Sequence, residues 1–343
     1  MTDLWNYLKT VNKPIVLYGT GTGADKIVNR LEKDGISLSG VFSSDGFKKG
    51  KLFKGLMVSS YEELYEILGD MIILVGFGSS RPEVLENIKA LMQKHELYVP
   101  DVPVYGNEIF DIDFARKHKL EIEKAYSLLC DDFSKTVYKN IILFKLSGNP
   151  KLLFECESDV NEAYSLLNLN TNECYLDLGA YTGDTAEQFI SKVKKYHKII
   201  ALEPDSRNYK KLCLNTKNYE NCICINSAIS DKCGKTKISN QHGRGVSNQG
   251  KNILVDTLTI DFIAKKNPPT FIKMDVEGCE DIAINSALKT IAEIKPKMHI
   301  ACYHRSLDIF SIPLKIKQIN PEYKVFIRHH RYLPAWDTNF IFI

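Results

Sequence analysis

The sequence predicts an α/β protein built on two successive, mainly parallel sheets, and three observations carry that prediction. Short apolar runs alternate with stretches of helical periodicity over two separate parts of the chain. Each part opens on a strand, a glycine-rich turn and a helix: "VLYGTGTGADKI" from Val16 to Ile27, and "YLDLGAYTGDTAEQF" from Tyr175 to Phe189. Between them, from about Asp111 to Leu169, strand signals give way to charged helical periodicity. The expected division is a smaller N-terminal domain over 1–110, a helical connector over 111–168 and a larger α/β domain over 169–343.

Ile15 to Tyr18 is a short apolar strand, Ala24 to Lys33 a helix, Leu38 to Phe42 a strand, Tyr61 to Leu68 a helix and Met71 to Gly76 a strand, a βαβαβ unit. The second alternation runs through strands at Cys174 to Leu178, Lys198 to Leu202 and Cys222 to Asn226, with helices at Thr185 to Lys194 and Ser206 to Leu214. It continues through "TFIKMDV", a helix from Glu280 to Ile291, "KMHIACYH" and a helix near Ile312 to Ile319. The closing strands, "YKVFIRHH" and "WDTNFIFI", are joined by a short loop and are therefore expected to be antiparallel.

Composition excludes several classes. With 343 residues the chain is long enough for two cores, and its 25% charged and 44% apolar residues are those of a globular protein. No apolar run reaches the length of a membrane span, and the N-terminus lacks a signal pattern, so the expected location is cytoplasmic. A net charge of +3 gives no ground for nucleic-acid binding. The nine cysteines show no zinc-like spacing and are expected to be reduced thiols. No metal is expected, since no ligand spacing requires one.

The second turn poses a chemical question. Helix N-termini favour anions, yet Asp177 stands just before the first glycine. Ligands of such sheets lie beyond the C-terminal ends of the strands, and a carboxylate there suits a cationic ligand rather than a pyrophosphate. Glu203, closing the next strand in "ALEPDS", is placed to accept the hydroxyls of a ribose. An acid near an ammonium and a sulfonium, glycines against the chain and an acid on the ribose make up the set that S-adenosylmethionine needs.

The stretches "DLGAYTGDT", "EPDSRNYKKL", "INSAISDKCG", "VDTLTIDF", "IKMDVEGCE" and "YHRSLDIF" resemble, in order, the motifs of the FkbM family of S-adenosylmethionine-dependent methyltransferases. The resemblance covers Leu169 to Ile343. It implies a seven-stranded class I methyltransferase sheet with an antiparallel last hairpin, and methylation of a hydroxyl, often on a sugar or a glycosylated product. The cofactor-binding set is then Asp177, Gly179, Ala180, Tyr181, Gly183, Asp184, Thr185, Glu203, Pro204, Ser227, Ala228 and Asp275. For Asp184 and Thr185, helix capping and ligand contact both stand. Asp275 and Glu277, two acids at the end of an apolar strand, and His304, ending the next strand, are the candidates for the base that takes the acceptor proton. A divalent ion held by these acids is conceivable on chemical grounds alone.

The first turn fits G-x-G-x-x-A through Gly19, Gly21 and Ala24, with Gly23 inside it and Asp45 near the end of the next strand. It resembles the small Rossmann-like modules ahead of sugar-modifying enzymes, which implies a nucleotide or nucleotide-sugar, or else a docking or dimerising role, so that a homo-oligomer is possible. The alternatives to methyl transfer are a nucleotide-sugar-binding protein and an NAD-dependent sugar-modifying enzyme. Asp177, and the lack of a Tyr-x-x-x-Lys arrangement, speak against the latter.

Overall fold

The computed structural model describes residues 2–44, 50–239 and 252–343. The chain forms two compact units. The first comprises Met1–Lys119, Thr136–Glu157 and His329–Asp337, and the second Leu120–Lys135, Ser158–Arg328 and Thr338–Ile343.

The first unit is built on β1 (Ile15–Tyr18), β2 (Gly40–Phe42), β3 (Leu52–Phe53), β4 (Leu56–Ser59), β5 (Ile72–Val75) and β6 (Glu96–Tyr98), in the sheet order β3-β4-β2-β1-β5-β6. All neighbours run parallel except β3, which pairs antiparallel with β4. Every residue of β1, β2 and β5 is buried, as expected of strands covered on both faces. Leu17, Ile72, Leu74, Ile27 and Leu31 form the core with Trp5. The helix Tyr61–Leu68 starts in a capping box, in which Ser60 accepts from the Glu63 N–H while the Glu63 carboxylate accepts from the Ser60 N–H.

The second unit holds β7 (Cys174–Leu178), β8 (Lys198–Leu202), β9 (Cys222–Ile225), β10 (Ala228–Ile229), β11 (Gly234–Ser239), β12 (Asn252–Leu258), β13 (Phe271–Met274), β14 (Lys297–Ala301), β15 (Val325–His329) and β16 (Thr338–Phe342). Seven of these form one sheet in the order β15-β16-β14-β13-β7-β8-β9, with β16 antiparallel to β14. The reversal of direction between β7→β8 and β13→β14 makes β7 and β13 the central pair, whose C-terminal ends open a crevice. One face is packed by Tyr175, Phe189 and Phe271, with Tyr175 stacked on both rings at 4.5 and 4.8 Å. Each such ring contributes about 1.5–3 kcal/mol by burial.

The strands expected at Ile15 to Tyr18, Cys174 to Leu178 and Lys198 to Leu202 have those bounds. The helix expected from Glu280 to Ile291 is regular only over Glu280–Asn285, and a π-turn at Thr290–Ile294 comes after it. A small second sheet, β10-β12-β11, lies outside the expected alternation. Among the described residues no helix is long and apolar enough to cross a membrane. All nine cysteines are free thiols.

Candidate active site

The turn after β7 is shaped by close packing. Gly179 has φ +80°, and a Cβ there would lie 2.0 Å from the carbonyl oxygen of Asp275. The Gly179 and Ala180 N–H groups donate to Leu202 O at 3.1 and 2.9 Å, which binds the turn to the end of β8. Tyr181 is in the left-handed region with φ +47° and has an exposed ring. Gly183 precedes the helix Asp184–Val193, so Asp184 and Thr185 lie in its first turn.

Glu203 closes this arrangement from the next strand. One of its oxygens accepts the Tyr181 N–H and the other the Asp205 N–H, both at 2.9 Å. The side chain is buried, and burial pushes its carboxyl up to about 7. Pro204 is next in the chain, and Asn226 Nδ2 holds the carbonyls of Glu203 and Pro204 at 2.8 and 3.1 Å. Ser227 is buried at the end of β9, and Ala228 begins β10.

Asp177 lies beneath the turn rather than on its surface. Side chains two apart on a strand share a face, and Asp177 shares that of Tyr175, under the helix Asp184–Val193. It is fully buried; the Thr185 hydroxyl donates to Oδ2, and Oδ1 has no hydrogen-bond partner. Burial raises its pKa against the opposing charge of Lys273, its cross-strand neighbour on β13.

The acids after β13 gather around His304. Asp275 keeps 31% of its side chain exposed and accepts from the Tyr303 hydroxyl at 3.1 Å and from Lys273 Nζ at 3.4 Å. His304 Nε2 lies 3.4 Å from Asp275 Oδ1 and 3.6 Å from Glu277 Oε2, while Nδ1 lies 2.9 Å from Glu280 Oε1. These are ion-pair contacts; neither ring nitrogen has an aligned hydrogen bond. Glu280 is fully buried and anchored by the Val276 N–H at 3.0 Å. Burial alone would lower the His304 pKa, but the charges of Glu280, Asp275 and Glu277 outweigh it and hold it at about 9. Burial likewise opposes ionisation of Asp275, yet Lys273 and His304 keep its pKa below the usual value. Glu277 stands outside, 69% exposed, with φ +52°.

Asp275, Glu280 and His304 each bring one ligand-type atom within 4.8 Å of the others. Glu280 and Asp275 lie nearest to opposite ring nitrogens, so the three side chains form an ion-paired chain from Glu280 through His304 to Asp275.

The structure thus brings Gly179, Ala180, Tyr181 and Glu203 together at the ends of β7 and β8, and Asp275, Glu277 and His304 together beyond β13 and β14. Sequence reasoning missed Glu280, Tyr303 and Lys273. An acid in the first turn of a helix directly after "DVEG" was the available signal for Glu280.

In the first unit, Gly19 has φ +93° and a Cβ would meet the Phe77 ring at 2.4 Å, while a Cβ on Gly23 would meet Gly76 O at 3.0 Å. Gly21 caps the helix Thr22–Lys33 and Ala24 is buried against Gly76. Asp45 lies outside the described residues. A cavity of about 390 Å³ at the ends of β1 and β2 is lined by Tyr18, Phe42, Ser43, Ser44, Tyr61 and Asn87 among others, and none of the turn glycines lines it.

Residues 177–333 match the family model of the methyltransferase FkbM domain. Among solved structures, methyltransferase FkbM from Methylobacillus flagellatus KT matches with a TM-score of 0.74 at 22% identity, covering 96% of this chain and 90% of that one. That likeness speaks for the fold of nearly the whole chain. Precorrin-6y C5,15-methyltransferase from Geobacter metallireducens GS-15 (TM-score 0.34, 11% identity) covers 53% of this chain and 84% of its own. Aeropyrum pernix fibrillarin in complex with natively bound S-adenosyl-L-methionine (0.34, 16%) covers 53% and 73%. At those TM-scores neither likeness bears on fold or function. No curated protein matches the chain. Residues 177–333 are thus similar to the FkbM methyltransferase domain, within a chain that shares its fold with a solved FkbM methyltransferase.

Proposed function

We propose that the protein is an S-adenosylmethionine-dependent O-methyltransferase acting on a hydroxyl of a sugar, a nucleotide-sugar or a glycosylated product. The observation that carries the reading is Glu203. Its oxygens hold the turn through one backbone N–H each. A carboxylate offers about four acceptor positions, so capacity remains for both hydroxyls of a ribose. The turn fits the same group, since Gly179 and Gly183 leave it without side-chain bulk, while Asp177 supports it from beneath through Thr185. The sugar acceptor rests on the family resemblance.

When bound, S-adenosylmethionine supplies a methyl group carried on a sulfonium. Asp275, partly exposed at the end of β13, is the carboxylate that meets the acceptor hydroxyl, orients it and takes its proton as the new bond develops. A carboxylate held below its usual pKa is a weak base, so alignment and exclusion of water account for much of the rate. His304, 1% exposed, acts from behind Asp275, and Glu277 stands at the rim.

Calorimetric titration of the full chain with S-adenosylhomocysteine tests the assignment. Glu203→Ala and Asp177→Ala should each weaken binding by about 1.5–3 kcal/mol, the worth of hydrogen bonds to a charged group. Unchanged affinity in both variants would remove the cofactor assignment. A second reading, a nucleotide or nucleotide-sugar held by the first unit, is favoured by the cavity at the ends of β1 and β2, whose volume of about 390 Å³ is in the range of small-molecule sites.

A further inference from the structure

We propose that Glu280 is a positioning residue for methyl transfer: it anchors the His304 ring behind Asp275, and the ring fixes the Asp275 carboxylate where the acceptor hydroxyl meets it. This deepens the methyltransferase reading and rests on it for the role of Asp275.

The geometry is a chain of alternating charge. Glu280 Oε1 is 2.9 Å from Nδ1, and Nε2 on the other side of the ring is 3.4 Å from Asp275 Oδ1. Its innermost member is sealed: Glu280 has no exposed surface, and its Oε1 accepts the N–H of Val276 at 3.0 Å and, more weakly, that of Gly278 at 3.5 Å. These donors come from the turn just after Asp275, so Glu280 fixes the backbone that carries the reacting carboxylate as well as the ring behind it. Its second oxygen is buried without a hydrogen-bond partner. An uncompensated buried carboxylate is costly, and the adjacent imidazolium is what offsets it.

Other titratable groups lie around the ring. Asp275 and Glu277 lie toward Nε2, and Asp308 approaches from the helix Asp308–Ile319, where the Arg305 N–H donates to it at 2.8 Å. Tyr303 packs on the ring at 4.2 Å, and Lys273 holds the far oxygen of Asp275. The charges of Glu280, Asp275 and Glu277 are what raise the His304 pKa against the opposing effect of burial.

Glu280→Gln keeps the shape and removes the charge. Two measurements on the full chain test the proposal. The first is an NMR titration of the His304 imidazole, which needs neither cofactor nor acceptor. The wild-type midpoint should lie near 9 and fall by about 1 to 3 pH units in Glu280→Gln, with partial recovery in Glu280→Asp. The second is the pH dependence of kcat once methyl transfer has been measured. Loss of the imidazolium ends the wild-type plateau on its alkaline side, and in Glu280→Gln that limb should move toward acid by the same interval. An unmoved midpoint would overturn the proposal whatever the enzyme does. A moved midpoint with an unmoved limb would also overturn it, because the pair would then be structural. If the midpoint moves but no acceptor is methylated, the pair stands and the methyltransfer reading on which its role depends is what fails.

Discussion

Replacing Gly179 with alanine is the sharpest structural test of how the crevice is built. The residue has φ +80°, and its Cβ would lie 2.0 Å from Asp275 O, a backbone atom that cannot swing aside. Left-handed backbone costs an alanine about 1–2 kcal/mol, and overpacking of a filled site adds about 1–3 kcal/mol. The sum is about 2–5 kcal/mol, which for a chain of this size lowers the melting temperature by roughly 3–7 °C. Gly183→Ala is the natural control. It shares the left-handed conformation, φ +95°, but its Cβ would meet only the Leu212 and Thr216 side chains at 3.2 Å, so the backbone penalty of about 1–2 kcal/mol should dominate. Urea unfolding and thermal melts of both variants, together with titration with S-adenosylhomocysteine, give the comparison. Gly179→Ala should be the less stable by at least about 1 kcal/mol and should also lose methyl transfer, since relief of the clash moves Asp275. Equal stabilities would show that the turn and the end of β13 are not pressed together.

Stability should fall as pH rises. Burial lifts the Glu203 and Asp308 carboxyls to about 7, and its neighbouring carboxylates lift His304 to about 9. All three folded-state values lie above the unfolded ones, so the folded chain holds protons that the unfolded chain releases: the carboxyl contributions are lost between about pH 4.5 and 7 and that of His304 between about pH 6.5 and 9. At about 1.4 kcal/mol per unit, the urea midpoint at pH 5.5 should exceed that at pH 8.5, and a flat or rising profile would contradict these environments. For the first unit, Gly21→Leu is the informative change, because a Cβ at Gly21 meets its nearest neighbour at an ordinary 3.7 Å. It should abolish binding of a nucleotide or nucleotide-sugar through the turn, spare binding confined to the neighbouring cavity, whose lining includes no turn glycine, and leave the S-adenosylhomocysteine affinity unaltered; loss of the latter without unfolding would mean that the two turns do not serve separate sites.

Regular elements were readable where one local signal dominated. β7 and β8 are apolar runs between polar segments, and their bounds follow from that alone. The small sheet β10-β12-β11 was not readable in the same way. Its central strand, Asn252–Leu258, pairs parallel with Ala228–Ile229 and antiparallel with Gly234–Ser239, and pairings made across such different separations leave no periodic mark. At the site, residue types were legible before their directions were. Asp177 reads as an acid at a ligand turn, yet strand alternation alone places it with Tyr175, under the helix. Glu280 was the opposite case. Three residues beyond Glu277, it reads as an ordinary acid in the first turn of a helix, and only the fold reveals that it has no exposed surface and faces His304.

The two glycine-rich turns show where fold ends and chemistry begins. Each starts on a glycine in the left-handed region, Gly19 at φ +93° and Gly179 at φ +80°, and each glycine is pressed against the residues just beyond a neighbouring strand. In the first unit that neighbour is the Phe77 ring, which also packs edge-on against Tyr18. In the second it is the carbonyl of Asp275, whose carboxylate is paired with His304. The same backbone geometry therefore abuts an apolar ring in one case and a charged, ion-paired acid in the other. Close approach of a turn to the adjacent strand explains Gly19 and Gly179 without reference to any ligand, so these glycines alone assign no function. The proposed assignment rests instead on what stands at the strand ends: Glu203 tying the turn to β8, and the chain Glu280–His304–Asp275 beyond β13. Exchanging those side chains while keeping the glycines should leave a stable sheet that has lost its chemistry.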